Sequence, residues 1–181
     1  MSSTRPSKEN KDPSPRAEMS DAIDYLTILD TPVVVPHAEA QRELTVRGVK
    51  IDFGSQRVVA LLVSERGRPW WQATLTDVQT VEADQVRVAS WDRLQALNYE
   101  GGRNVFGRSG GLIKAKVISE KGTYAGRINT FWFRLVGGDV TEYVMSRGIL
   151  RDFFRGRCIV TRDEVASASP EKIVTLSEKP L

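Results

Sequence analysis

The sequence has one histidine, His37, and one cysteine, Cys158, among its 181 residues. A single cysteine excludes a disulfide within the chain, so nothing indicates an oxidising compartment. A structural zinc site normally takes four Cys or His ligands and is excluded as well. A Ser/His/Asp or Cys/His catalytic system would have to use His37, which lies in no catalytic motif. We therefore predict a protein that is not an enzyme and binds no metal and no cofactor.

Long apolar runs are also missing. No stretch approaches the ~18 consecutive apolar residues of a membrane-spanning helix. The first twenty residues lack the apolar segment of a signal peptide, and Glu9, Asp12 and Glu18 argue against a transit peptide. We predict a cytoplasmic protein, and any membrane association must be peripheral, on the cytoplasmic face of an inner or photosynthetic membrane, or through a partner.

Charge is nearly balanced overall but unevenly distributed. The 26 basic and 23 acidic residues give a net charge of +3. Residues 112–181 hold 12 basic and 8 acidic side chains, whereas residues 21–111 hold 10 and 12. The second half is expected to face acidic surfaces, anionic lipid or a membrane complex among them, with nucleic acid a weaker expectation. A solvated face without a partner is the alternative.

Short strand-like runs dominate the chain after Thr31. Residues 1–20 contain three prolines among polar residues and predict a disordered tail. The later apolar runs are separated by glycine, and no alternation of strands with long helices appears. The pattern predicts an all-β, or mainly β, fold.

Two parts of the chain have similar patterns, which predicts an internal duplication. Residues 58–64 align with 140–146, and Val78 precedes Val86 by the same eight residues as Val165 precedes Ile173. We predict a first unit at 21–90, a Gly-rich linker at 91–111 and a second unit at 112–178. Residues 101–111 also have the composition of a phosphate-binding or RNA-binding loop, but they lack the Gly-Lys-Ser/Thr ending of the former.

The second unit resembles the PRC-barrel family, named after the cytoplasmic domain of the photosynthetic reaction-centre H subunit. The resemblance is carried by Gly122, Gly126, Trp132, residues 143–145, Val165 and residues 173–176. The first unit resembles the family more weakly, because residues 36–38 stand where the family has a Glu/Asp-Gly turn. The resemblance implies two small PRC-like β-barrels in tandem, used for binding and assembly.

The function implied by this resemblance is that of a non-catalytic subunit or assembly factor. It would dock on the cytoplasmic face of a membrane complex, with a photosynthetic reaction centre as the first suggestion. The alternative is an RNA-linked adaptor similar to the barrel domain of a ribosome maturation factor, which binds a ribosomal protein.

Two segments are the predicted partner-binding sites. Residues 147–157 interleave apolar and guanidinium side chains, as protein interfaces and anionic membrane surfaces favour. The expected contact residues there are Arg147, Ile149, Leu150, Arg151, Phe153, Phe154 and Arg155. The alternative is that both phenylalanines cap the end of a barrel. Trp70 and Trp71 should face opposite sides of a strand, so that one enters the core and the other anchors a partner or the other barrel.

Overall fold

The computed structural model describes residues 21–36, 43–65, 70–98, 100, 102–147 and 158–176. Within these residues the chain is mostly β-strand, with one four-residue helix, α1 (Tyr25–Ile28), and three single 3-10 turns. The prediction of a mainly β fold is confirmed. The predicted tail, 1–20, lies outside the described residues.

The described strands are numbered in chain order. They are β1 (Ala22–Asp24), β2 (Pro32–Val34), β3 (Leu44–Asp52), β4 (Arg57–Glu65), β5 (Trp70–Thr74), β6 (Val78–Val81), β7 (Val86–Val88), β8 (Leu94–Ala96), β9 (Arg103–Phe106), β10 (Lys116–Ser119), β11 (Tyr124–Arg134), β12 (Val140–Ser146), β13 (Cys158–Thr161), β14 (Val165–Ala168) and β15 (Lys172–Thr175).

The strands form two sheets with the same pairing order. In the first sheet the order is β6-β7-β2-β3-β4-β5-β8. In the second sheet, read from the corresponding edge, it is β14-β15-β10-β11-β12-β13. β2 runs antiparallel to β3 and parallel to β7, just as β10 runs antiparallel to β11 and parallel to β15. The first six strands of one sheet therefore each have a counterpart in the other.

The pairing registers relate the two sheets residue by residue. Ala60 lies opposite Thr74 in the first sheet, and Glu142 lies opposite Thr161 in the second. A 3-10 turn follows at once in both cases, at Leu75–Asp77 and at Arg162–Glu164. Val58 and Val140 thus occupy equivalent positions, 82 residues apart in the chain.

Each sheet also receives one strand from the chain segment that precedes the other unit. β1 precedes the first sheet but pairs antiparallel with β11 of the second. β9 precedes the second sheet but pairs antiparallel with β3 of the first. Asp24 lies opposite Trp132 as Asn104 lies opposite Lys50. The two sheets are joined by this exchange of strands.

The segment predicted to be a linker, 91–111, contributes two strands to the first sheet. β8 pairs with β5, and β9 pairs with β3. Val105 in β9 is fully buried. The glycines that suggested a linker permit close approach instead: a Cβ on Gly102, whose φ is +150°, would lie 2.8 Å from the carbonyl oxygen of Ile51.

One continuous cluster of buried apolar side chains includes residues of both sheets. Its side chains come from alternate positions of the strands, where apolar residues face inward. The largest fully buried core side chains are Tyr25, Tyr143, Phe131, Phe133, Ile51, Leu61, Leu112, Ile128, Met145 and Ile173. Tyr25 stacks on Phe131 with ring centroids 4.7 Å apart.

No helix in the described part of the chain is both long and apolar enough to cross a bilayer.

Candidate partner-binding face

Most of the predicted contact residues cannot be placed. Ile149, Leu150, Arg151, Phe153, Phe154 and Arg155 lie outside the described residues. Their segment joins Arg147, which follows β12, to Cys158, the first residue of β13. It therefore connects two adjacent strands at one end of the second sheet.

Arg147 is half-buried at this end of the sheet. Gly126 in β11 lies beside it: a Cβ at Gly126 would be 2.6 Å from the Ser146 carbonyl oxygen and 3.6 Å from Cγ of Arg147. The absence of a side chain at Gly126 thus lets β11 and the end of β12 approach each other closely.

The tryptophan pair of β5 is partly described. Trp71 packs against the core and meets Trp91 edge to face, with ring centroids 5.7 Å apart. Trp70 begins β5, and its side chain lies outside the description. Trp71 is thus the tryptophan that faces inward.

The structure brings three apolar side chains together on the outer face of the second sheet. Trp132 lies between the core residues Phe131 and Phe133, so it points away from the core. Val144 and Ile159 are register partners on the adjacent strands β12 and β13. Val144 lies opposite Thr130, two residues from Trp132 on β11. We call Trp132, Val144 and Ile159 the outer face of the second sheet.

Ile159 is the most exposed member of this outer face. Ile159 is 49% exposed, Trp132 is half-buried, and Val144 is buried, with 6% of its surface exposed. Sequence reasoning did not single out Ile159. β13 is only four residues long, so its sequence does not show which face of the sheet the Ile159 side chain is on. That follows only from the register of β13 with β12.

The three equivalent positions of the first sheet are covered, and two of them are polar. Lys50, Leu62 and Gln72 correspond to Trp132, Val144 and Ile159, and they are only 4%, 0% and 6% exposed. The Lys50 ammonium donates to Oδ1 of Asn98 at 2.6 Å and to Oε1 of Gln72 at 3.2 Å. Burial lowers the pKa of Lys50 from its ordinary value, against the opposing effect of the Glu100 charge.

A concave region lies at the end of β3. This open groove of about 500 Å³ is lined by residues 51–54, 102–103 and 168–170. Its carboxylate, Asp52, accepts hydrogen bonds from the Ser55 hydroxyl at 2.6 Å and the Gly54 N–H at 3.0 Å, and these hold its pKa below the ordinary value. Asp52 therefore stabilises the turn that follows β3. The described residues that line the groove include no pair of groups arranged for acid–base chemistry.

Within the described ranges, no group of three or more His, Cys, Asp or Glu side chains is placed to hold a metal ion. Comparison with protein-family models gave no match, and no curated protein matches this sequence. The candidate site is therefore defined by geometry alone: an outward apolar face next to the connection between β12 and β13.

Proposed function

We propose that this chain is a non-catalytic docking subunit or assembly factor, and that its second sheet binds a protein complex. The observation that carries the proposal is the exposure of Ile159 at a position where the first sheet has a covered Gln72. Exposed apolar surface next to a long connection is typical of protein interfaces.

We also propose that each sheet closes into a small barrel of the PRC type, in tandem. The shared pairing order of the two sheets supports a duplicated unit. The resemblance of residues 112–178 to the PRC-barrel family supports the type of unit.

The proposed partner is a membrane complex approached from the cytoplasm, and a photosynthetic reaction centre is the first to test. The positive balance of residues 112–181 favours an acidic or lipid-bordered docking surface. Phe153, Phe154 and the arginines around them adjoin Ile159 in the sequence and are the proposed further contacts.

The test uses the full chain and purified reaction centres in detergent. We expect co-elution of the chain with the pigmented complex, and about tenfold weaker binding for Ile159→Asp, because charge at a buried interface position costs at least ~1.4 kcal/mol. The matched control is Val136→Asp, since Val136 is 82% exposed in the turn between β11 and β12. It should bind like the unmodified chain.

A second variant tests the connection between β12 and β13. Phe153→Ala combined with Phe154→Ala should weaken binding without changing the melting temperature. No binding to reaction centres, or equal losses for Ile159→Asp and Val136→Asp, would overturn the proposed site. Co-sedimentation with ribosomal particles instead would favour the RNA-linked adaptor.

A further inference from the structure

Three exposed cationic side chains lie side by side on the second sheet. Arg127 of β11 is the register partner of Lys116 on β10, and Lys116 is the register partner of Lys172 on β15. Val117 and Ile173, the next residues of β10 and β15, are buried, so the cations point to the other side of the sheet, and all three are exposed. At ~4.8 Å per strand the three positions span about 10 Å. We call Arg127, Lys116 and Lys172 the basic row.

The stability of the sheet does not explain the basic row. Like charges on register partners contribute nothing favourable to strand pairing. Among the described residues, no carboxylate forms an ion pair with any of the three cations. The Arg127 guanidinium donates to the backbone carbonyl of Lys114 at 3.3 Å, which leaves its charge uncompensated. The row therefore offers three cations to an anion from outside the chain.

The first sheet has no such row at the equivalent positions. β2, β3 and β7 correspond to β10, β11 and β15. Their registers place Pro32, Thr45 and Gln85 where the second sheet has the basic row. All three residues are uncharged. The duplicated fold therefore does not require cations here, and the row is a property of the second unit alone.

A row with an exposed aromatic ring lies next to the basic row. Ile118 of β10 is the register partner of both Tyr124 on β11 and Val174 on β15. Ile118 and Val174 follow Lys116 and Lys172 by two residues, which puts both rows on the same face of the sheet. Ile118 and Val174 are half-buried, whereas Tyr124 is 58% exposed. The ring of Tyr124 is therefore accessible beside the three cations.

We propose that this face of the second sheet binds a single-stranded nucleic acid. Phosphates lie along the basic row, and one base stacks on Tyr124. A positively charged track beside an exposed aromatic ring is the combination that single-strand binding surfaces use. The inference uses other residues than the proposed docking face, Trp132, Val144 and Ile159, and does not depend on it.

Two other polyanionic surfaces fit this face less well. A duplex keeps its bases stacked on each other, so it offers no base to the ring of Tyr124. An anionic membrane favours several apolar side chains that reach into the lipid. Here Ile118 and Val174 are half-buried in the sheet. Both surfaces serve as comparisons in the tests.

The first test is fluorescence anisotropy of the full chain with labelled single-stranded oligouridine and oligothymidine of about eight nucleotides. Three phosphate contacts predict that the logarithm of the binding constant falls with the logarithm of the salt concentration with a slope of about −2. Arg127→Gln should reduce this slope by about 0.7. Arg134→Gln is the matched control, since Arg134 is an exposed arginine at the other end of β11, and it should leave the slope unchanged. Equal changes for the two variants, or no binding of either oligonucleotide, would overturn the proposal.

The second test separates stacking from charge. Tyr124→Ala should weaken binding about tenfold, whereas Tyr124→Phe keeps the ring and should bind like the unmodified chain. An unchanged affinity for Tyr124→Ala would show that no base stacks there.

The third test compares the other polyanions. Glutamine at all three positions of the basic row should abolish oligonucleotide binding without lowering the melting temperature, because the like charges do not stabilise the sheet. A duplex of the same length that binds as tightly as the single strand would contradict the proposal. So would a loss of binding to phosphatidylserine vesicles in this triple variant with oligonucleotide binding unchanged, a result that would instead assign the face to lipid.

Discussion

Val58 and Val140 each donate the backbone N–H to the hairpin turn of the other sheet. The Val58 N–H donates to the Gly138 carbonyl at 2.7 Å, and the Val140 N–H donates to the Gln56 carbonyl at 3.0 Å. Because the donors and acceptors occupy equivalent positions, the two hairpins are related as the halves of a twofold interface. The contact joins the sheets in addition to the pairing of β1 with β11 and of β9 with β3.

Gly138→Ala should separate these hairpins. A Cβ at position 138 would lie 2.0 Å from the Val58 carbonyl oxygen, and the φ of +75° is unfavourable for alanine. We expect the free energy of unfolding to fall by about 3 kcal/mol, the sum of left-handed backbone strain and a backbone clash. Urea denaturation measures this change.

The control for this variant is Gly122→Ala. Gly122 has a similar φ of +85°, and nothing lies within 4 Å of the added Cβ. It should lose only the backbone term, about 1 kcal/mol. Equal losses at both positions would show that the contact with Val58 does not matter.

Asp139 next to this contact should make stability depend on acidic pH. Burial raises the pKa of its carboxyl, but the hydrogen bond from Arg162 and the charges of Arg57 and Arg162 outweigh this and hold the pKa below its ordinary value. The folded chain therefore binds this proton less readily than the unfolded chain. The stabilisation is present above the ordinary pKa near ~3.9 and is lost as pH falls through the lower folded-state value.

Asp139→Asn should accordingly cost about 1 kcal/mol at neutral pH, since the pair is partly exposed. The difference between this variant and the unmodified chain should shrink as pH falls below about 4. Chemical denaturation across pH 2.5–7 measures it. Asp84→Asn, in the exposed turn between β6 and β7, is the control. A difference that stays constant across this range would contradict the assignment.

The part of the fold that follows a local pattern could be predicted from the sequence. Short apolar runs separated by glycine, with no alternation of strands and long helices, predicted the mainly β fold. The alignment of 58–64 with 140–146 pairs residues that the strand registers also place at equivalent positions. Closure of each sheet into a tandem PRC-like barrel stays a prediction.

Features that depend on long-range pairing could not be predicted. β1 is only three residues long, and nothing around Ile23 signals that its partner, Phe133, lies 110 positions further along the chain. The glycines near Val105 suggested a linker, although Val105 is fully buried and pairs with Val49 of β3. Ile159 was missed for a related reason, because its outward direction follows from its register with Val144.

Tyr25 should contribute to the connection between the sheets through its hydroxyl. It donates to the Gly107 carbonyl at 2.8 Å, with the Val105 carbonyl at 3.2 Å, so a residue next to β1 is bonded to the end of β9. Burial raises the pKa of Tyr25 and keeps the hydroxyl protonated. Tyr25→Phe should lower the free energy of unfolding by about 1 kcal/mol, because two buried carbonyls lose a donor.

Tyr124→Phe is the matched control for Tyr25→Phe, since Tyr124 is 58% exposed on β11. It should change the free energy of unfolding by less than about 0.5 kcal/mol. Urea denaturation of both variants makes the comparison, and equal effects would show that the hydroxyl of Tyr25 does not join the sheets.

The buried Lys50 should make stability rise with pH in the alkaline range. Its pKa is lowered in the folded chain by burial, so between that value and the ordinary ~10.4 the unfolded chain binds more protons. The free energy of unfolding therefore increases with pH across this window.

Lys50→Met removes the titrating group and keeps the length of the side chain. The unmodified chain should gain stability relative to Lys50→Met as pH rises toward the ordinary pKa near ~10.4, as measured by urea denaturation. Lys172→Met, on the exposed start of β15, is the control and should show no such gain. A flat difference for Lys50→Met would mean that the buried ammonium is as well stabilised by Gln72 and Asn98 as it is by water.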